Sequence, residues 1–276
     1  MVSIIILTKN EENDIRGCLE SIKWCDDVHV LDSGSTDKTI EISTELGAKI
    51  SFNKFKSFGD QRNWALDNIE TKYDWILFLD ADERTTDKYT TALFDAIRKA
   101  GPDVAGFYCC WKMILDGKWI RFCDNFRKWQ FRVLLRGKAR FKDFGHGQKE
   151  DIISGEAQYL MEPYLHYGFS KGWAQWIDRH NRYSTEEAIS RSKVRPPFSQ
   201  VFSKHGSLRN VAIKSWMSRF PGWPLIRFVY TYFLRLGFVE GRQGFTYCVN
   251  ICYYEFLIQI KMREIRRQQQ LNGAIA

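Results

Sequence analysis

Two aspartates one residue apart, Asp80 and Asp82, follow the apolar run at residues 75–79 in the stretch "LDADE". Two carboxylates on one short loop offer hard oxygen ligands to Mg²⁺ or Mn²⁺. If the strand continues, alternation sends both to the same side, so one can meet a ribose hydroxyl while the other meets a metal. The tripeptide is common by chance, and a polar strand end without chemistry is the competing reading. A second acidic stretch, "DSGSTD", covers residues 32–37. Its small residues allow a tight turn, and Ser35, Thr36 or Asp37 can cap a following helix. Asp32 precedes that turn, where a carboxylate can accept the imide N–H of a uracil or thymine ring. "GDQRNWAL" sets Arg62 near a helix start, able to stack on a base, bind phosphate or stand as a solvated charge. His166, in "YLHYGF", can ligate Mn²⁺ as a neutral imidazole or pair with phosphate as an imidazolium. A core or surface histidine is the plainer alternative.

These residues need elements to position them. Up to residue 100, short apolar runs at residues 2–7, 28–31, 49–52 and 75–79 alternate with helical patterns at 12–24, 38–46 and 59–69. That order predicts an α/β fold with a mostly parallel sheet between helices. Strands apolar on both faces fit a sheet buried on both sides. In such sheets ligands bind outside the carboxyl ends of the strands. The loops "TKNEE", "DSGSTD" and "DADE" all lie at such ends. The middle of the chain adds mixed or antiparallel strands, with a hairpin signal at Asp116-Gly117. From residue 171 the pattern is helical, broken at Pro196 and Pro197. Leu225, Phe228, Val229, Tyr232 and Leu236 mark one face of a later helix, and residues 245–267 form the last long one. The expected division is a first domain at 1–170 and a helical region at 171–276.

Composition narrows the class. Of 276 residues, 44% are hydrophobic and 15% aromatic, enough for a substantial core with rings to spare. The net charge of +8 favours anionic partners. The seven cysteines form no CxxC pair, which argues against a disulfide framework and for a reducing cytosol. The start of the chain does not read as a signal peptide, and no apolar stretch reaches the ~18 residues of a membrane span.

Taken together, "VSIIILTKNEENDI", "VHVLDSGSTDKT", "GDQRNWAL" and "WILFLDADE" resemble the inverting family 2 glycosyltransferases of the GT-A nucleotide-sugar-binding fold. The chain is most similar to the bacterial subgroup of lipopolysaccharide core β-glucosyltransferases, a likeness that continues into "RHNRYSTEEA", "FLRLGFVEGRQGF" and "YYEFLIQIKMRE". The resemblance implies a UDP-hexose donor, a Mn²⁺ or Mg²⁺ cofactor, and a cell-envelope glycan or glycolipid acceptor. It places Thr8, Asn10 and Glu11 near the donor base and ribose, Asp32 at the base, and Arg62 near base or diphosphate. Asp80 falls on the ribose side. Asp82 is the implied metal ligand, with His166 at the metal or diphosphate. Many relatives carry a second acid where this chain has Ser33. An inverting transfer also needs a base for the acceptor hydroxyl. Relatives often have His-Glu in "FKDFGHGQKEDI", where this chain has His146-Gly147. Glu150 is the base expected here, with Asp143 and Asp151 behind it, against the reading of a surface charge.

The last quarter mixes cations with aromatic rings, including Trp216, Trp223, Tyr230, Tyr232 and Phe233. An anionic membrane surface, met peripherally at the inner face of the cytoplasmic membrane, is the expected partner, with self-association as the alternative. A nucleic-acid binder is the weaker reading, since no recognisable module or dense basic tract is present. A nucleotide-sugar-binding protein that has lost catalysis is the remaining alternative.

Overall fold

Successive residues of the first strand, β1 (Ser3–Thr8), enter two different cores, as the two-residue period of a strand requires. In the computed structural model, which describes residues 1–144, 147–193 and 196–273, Ile4 and Ile6 pack with Val30, Leu77, Leu79 and helix residues Ile15, Leu19 and Leu93. Ile5 packs on the opposite face with Leu31, Phe78, Ala65, Leu66 and Phe131. The parallel neighbours β2 (Val28–Asp32), β3 (Lys49–Phe52) and β4 (Trp75–Asp80) complete this half of the sheet.

The chain then builds outward. The two-residue β5 (Glu83–Arg84) precedes β6 (Val104–Leu115), β7 (Lys118–Trp119) and β8 (Trp129–Leu135). A separate antiparallel pair, β9 (Ala139–Phe144) and β10 (Gly147–Ile152), leads to β11 (Glu156–His166). The sheet order is β3-β2-β1-β4-β8-β6-β11-β5, with β7 on β6. Among the long strands only β8 runs against the rest. The Asp116-Gly117 turn takes positive φ at both residues (49° and 74°), the hairpin geometry its sequence predicts.

Four helices flank this sheet: α1 (Ile15–Ser21), α2 (Thr39–Glu45), α3 (Phe58–Asn68) and α4 (Asp87–Lys99). Ser57 caps α3 through the Asp60 amide, and Thr86 caps α4 through that of Tyr89. The sequence pattern did not single out α4.

The chain divides into two compact units, residues 1–119 with 125–171, and residues 120–124 with 172–276. Residues 120–124, assigned from sequence to the first domain, thus cluster with the helices. Glu240 accepts the amides of Arg121, Phe122 and Cys123, and Tyr247 donates to Asp124 at 2.6 Å. This second unit contains α5 (Gly172–Lys193), α6 (Gly206–Met217), α7 (Trp223–Val229) and α8 (Gly241–Gly273). Arg191 is buried between Glu187 and Glu255, each at 2.8 Å, and the Trp223 indole donates to Glu255 at 3.0 Å. A π-helical turn (Tyr230–Leu234) follows α7, and Leu236 has φ 58°. The single helical face expected at residues 225–236 is therefore split: Phe228 and Tyr232 stack at 5.3 Å, while Leu225, Val229 and Leu236 are exposed. Among the described residues no helix is long and apolar enough to cross a membrane. All seven cysteines are free.

Candidate active site

Register brings the chemistry together. Thr8 lies opposite Asp32, and Leu7 opposite Asp80, so the carboxyl ends of β1, β2 and β4 share one edge. After β4 the chain turns at Asp82 and pairs β5 with the end of β11, His166 opposite Glu83. The Tyr167 amide donates to the Asp82 carbonyl at 2.8 Å. His166 Nε2 then stands 3.3 Å from Asp82 Oδ2, both side chains about one-fifth exposed. Burial would lower the His166 pKa, but Asp82, helped by Glu83 and Asp80, raises it to about 9.

Asp80 and Asp82 do different jobs. Asp80 accepts from Arg132 at 2.6 Å and from Arg62 at 3.2 Å. Against burial, these two guanidiniums hold its carboxyl well below the usual carboxylate range. Arg132 also binds Glu83, which accepts the Tyr164 hydroxyl at 3.0 Å and the Asp80 amide at 2.9 Å. Burial pushes the Glu83 carboxyl up to about 7. Glu83 and Arg132 were given no role from sequence. Arg132, set inside the apolar run "FRVLL", was the available signal, because a buried cation demands a buried anion.

Arg62 corrects two sequence readings. It is neither a solvated charge nor an open base platform, but a buried cation, with burial lowering its pKa to about 10. Besides Asp80 it donates to Gln148 at 2.5 Å and lies 5.5 Å from the Phe78 ring. Asp32 is also buried, and its carboxylate is occupied by its own loop. It accepts from Thr8 (2.9 Å), Gly34 N (2.7 Å), Ser35 N (2.7 Å) and Ser35 Oγ (2.5 Å). Four bonds use the acceptor capacity of a carboxylate, so Asp32 here shapes the turn, and a base reaches it only if one of these donors yields.

The first loop is held from two sides. Asn10, at φ 55°, receives the Thr36 amide at 2.8 Å and donates its own amide to Ser35 Oγ at 2.8 Å. Glu11 is fixed by the Thr39 hydroxyl at 2.7 Å and by Lys171, 2.5 Å away. Burial outweighs Lys171 and raises the Glu11 carboxyl to about 7. Lys171, absent from the sequence reading, arrives on the segment after β11 and also donates to the Asn10 carbonyl at 2.8 Å.

Glu150 lies in β10, against a cavity of about 280 Å³ lined by Tyr108, Trp129, Phe131, Phe141, Gln148 and Lys149. The Tyr108 hydroxyl donates to Glu150, while Gln148 ties the cavity to Arg62. Asp143 instead accepts the Gly59 amide at 3.1 Å, anchoring the start of α3, and Asp151 pairs with Lys142 at 2.8 Å. Their geometry separates them from Glu150, the only one of the three that lines the cavity. His146 lies outside the described residues.

Among the described residues no group of three or more His, Cys, Asp or Glu side chains forms a metal cluster. Asp82 and His166 nevertheless offer donor types that a divalent ion takes, a carboxylate oxygen and an imidazole nitrogen. The buried Nδ1 of His166 has no partner among the described residues, so neither ring nitrogen is committed to the core. A metal held there would take the place of the proton between His166 and Asp82.

A parallel sheet that gathers carboxylates, a histidine and a loop-capping aspartate at its carboxyl edge defines an α/β enzyme with a ligand site at that edge. Residues 3–140 match the model of the glycosyl transferase family 2. An uncharacterized glycosyltransferase of Rickettsia bellii is 44% identical, covering 97% of this chain and 87% of its own length. The chain belongs to glycosyl transferase family 2 and is a glycosyltransferase built on a mixed, mostly parallel sheet flanked by helices. The lipopolysaccharide core biosynthesis glycosyltransferase LpsC of Rhizobium meliloti is 26% identical, covering 72% of this chain and 76% of its own. Among solved structures, S. aureus TarS aligns over 98% of this chain and 91% of its own at 14% identity, TM-score 0.46. Glucosyl-3-phosphoglycerate synthase of Mycobacterium tuberculosis, solved with Mn²⁺, UDP-glucose and glycerol 3-phosphate, aligns over 43% and 45% at 22% identity, TM-score 0.34.

Proposed function

We propose that this glycosyltransferase moves a hexose from a UDP-sugar to a cell-envelope glycan or lipid-linked acceptor, with inversion, at the inner face of the cytoplasmic membrane. The observation that carries the reading is the convergence of Thr8, Asp32, Asp80 and Asp82 on one sheet edge, with His166 brought onto Asp82. Thr8, Asn10 and Glu11 frame the donor base and ribose together with the turn that Asp32 shapes. Asp80, held by Arg62 and Arg132, is a fixed acceptor for a ribose hydroxyl. Asp82 and His166 would hold Mn²⁺ or Mg²⁺, which when bound supplies positive charge to the departing diphosphate. Glu150 is the general base: it takes the acceptor hydroxyl proton as that oxygen attacks the anomeric carbon from the face opposite the diphosphate. Tyr108 keeps its carboxylate aimed into the cavity. The aromatic walls there suit the apolar faces of a sugar ring and exclude water from the reacting centre.

A thermal-shift panel of UDP-, GDP- and dTDP-sugars, with and without Mn²⁺, tests this reading. A donor that binds raises apparent stability by mass action. Stabilisation by UDP-sugars that grows with Mn²⁺ is the expected result. No response to any nucleotide sugar sinks it.

A further inference from the structure

Between Glu187 and Glu240 the chain carries no aspartate or glutamate, but six arginines and three lysines. Arg191 and Lys214 are occupied by Glu187 and Glu255, whereas Lys193, Lys204 and Arg209 are exposed. The same stretch holds a concentration of exposed apolar side chains. Across α7 and its π-turn, Leu225, Val229 and Phe233 are exposed at four-residue spacing, and so are Ile226, Tyr230 and Leu234 beside them. These two rows make one continuous helical ridge. Leu225 is 69% and Leu234 72% exposed, unusual values for leucines of a folded unit. The opposite side of the same segment is spent on packing: Pro224 and Thr231 are buried, and Phe228 stacks on Tyr232.

The expected interfacial tryptophans are elsewhere. Trp216 is half-buried and donates to the Pro196 carbonyl, and Trp223 is half-buried and donates to Glu255. Tyr230 takes their place on the ridge, with the Arg227 guanidinium 5.8 Å from its ring centre. An aromatic ring with a polar tip beside a cation suits the headgroup level of a bilayer.

We propose that the ridge at residues 225–234 docks on an anionic lipid bilayer, its apolar rows entering the interfacial layer while Arg227, beside Tyr230, meets lipid phosphates and the other cations of this carboxylate-free stretch add to the attraction. Charge decides between this occupant and a second copy of the chain. A two-fold interface sets a patch against itself, which here brings two carboxylate-free cationic stretches together. An anionic surface attracts the same charges. The inference deepens the proposed function, since a lipid-linked acceptor lies at such a surface, but vesicle binding reads it without donor or transfer.

The full chain is tested by co-sedimentation with phosphatidylcholine vesicles containing about one-third phosphatidylglycerol, and with pure phosphatidylcholine. The wild type should bind the anionic vesicles and lose that binding as salt rises. L225D/L234D should weaken partitioning at least about tenfold, because two side chains that would leave water become charged. The UDP-sugar thermal shift of that variant should be unchanged, which shows that it folds. Should it fail to fold, L234S alone should still weaken binding several-fold. Absence of binding to anionic vesicles, or undiminished binding by the variants, overturns the proposal. A wild-type dimer by light scattering that L225D/L234D dissociates also overturns it, and assigns the ridge to self-association. Vesicle binding without any nucleotide-sugar response upholds the ridge and sinks only the donor reading.

Discussion

The two ends of the parallel sheet treat buried charge in opposite ways. At the amino end Asp27 is fully buried, and its two oxygens receive Ser3 at 2.6 Å, Lys49 at 2.7 Å, the Lys72 amide at 2.8 Å and His29 at 3.0 Å. Against burial, these partners hold its carboxyl well below the usual range. At the carboxyl end polar atoms remain unmatched. Glu11 Oε2, Asp14 Oδ1, Arg62 Nε, His166 Nδ1, and Nε and Nη1 of Arg132 are buried without a hydrogen-bond partner among the described residues. Native proteins leave few such atoms. The fold itself saturates Asp27, whereas at the ligand edge it leaves these donors and acceptors unpaired. The same residue type thus means different things at the two ends.

The sharpest way to break this comparison is Asp82→Ala. Loss of the carboxylate nearest His166 should reduce turnover by at least about 100-fold while the melting temperature stays near that of the wild type. Turnover that survives the substitution would remove Asp82 from the metal site. The mirror experiment is Asp27→Ala. Urea unfolding should show a loss of about 3 kcal/mol, because Lys49 loses its counter-ion and Ser3, His29 and the Lys72 amide lose their buried partner. The KM for donor, measured on the folded fraction, should not move. A stable Asp27→Ala protein with impaired donor binding would reverse the assignment of the two ends.

Glu150→Gln tests the acceptor side. It should lower kcat by about 100-fold and leave the donor thermal shift intact, as expected for loss of a general base. If Asp143→Asn gives the larger loss in kcat, the base has been misassigned.

The smallest effect is a pH slope. Burial raises the Glu11 carboxyl from its ordinary 4.5 to about 7. A raised acid binds its proton more tightly in the folded state, so this contribution is fully present below pH 4.5 and is lost as pH rises towards 7. Asp27 has the opposite sign, stabilising at neutral pH and fading in acid. Glu11→Gln should therefore flatten the fall in melting temperature between pH 4.5 and 7, read by scanning fluorimetry. An unchanged slope would mean that another group carries it.

The parallel half of the sheet was legible because its strands are apolar runs separated by turn-forming residues, a local pattern. The positions of Asp80 and Asp82 at a strand end were legible for the same reason. The partners of those aspartates were not. Arg132 is 52 residues away from Asp80, and only the neighbouring strand brings it in. Helix α4 escaped notice although Thr86 caps it and Arg98 and Lys99 end it. The one helical face read at Leu225, Phe228, Val229, Tyr232 and Leu236 is split in the structure, because helical spacing is the same whether a side chain meets a core or the outside.

The sequence by itself determined where the strands end and which carboxylates stand there, since strand period and turn chemistry act over a few residues. Tertiary structure decided what each carboxylate does. Burial and approach of distant cations set whether Asp80 is pinned by two arginines, whether Asp82 meets a histidine, and whether Asp32 faces a ligand or its own loop. Those outcomes depend on desolvation and long-range contact, which no local pattern encodes.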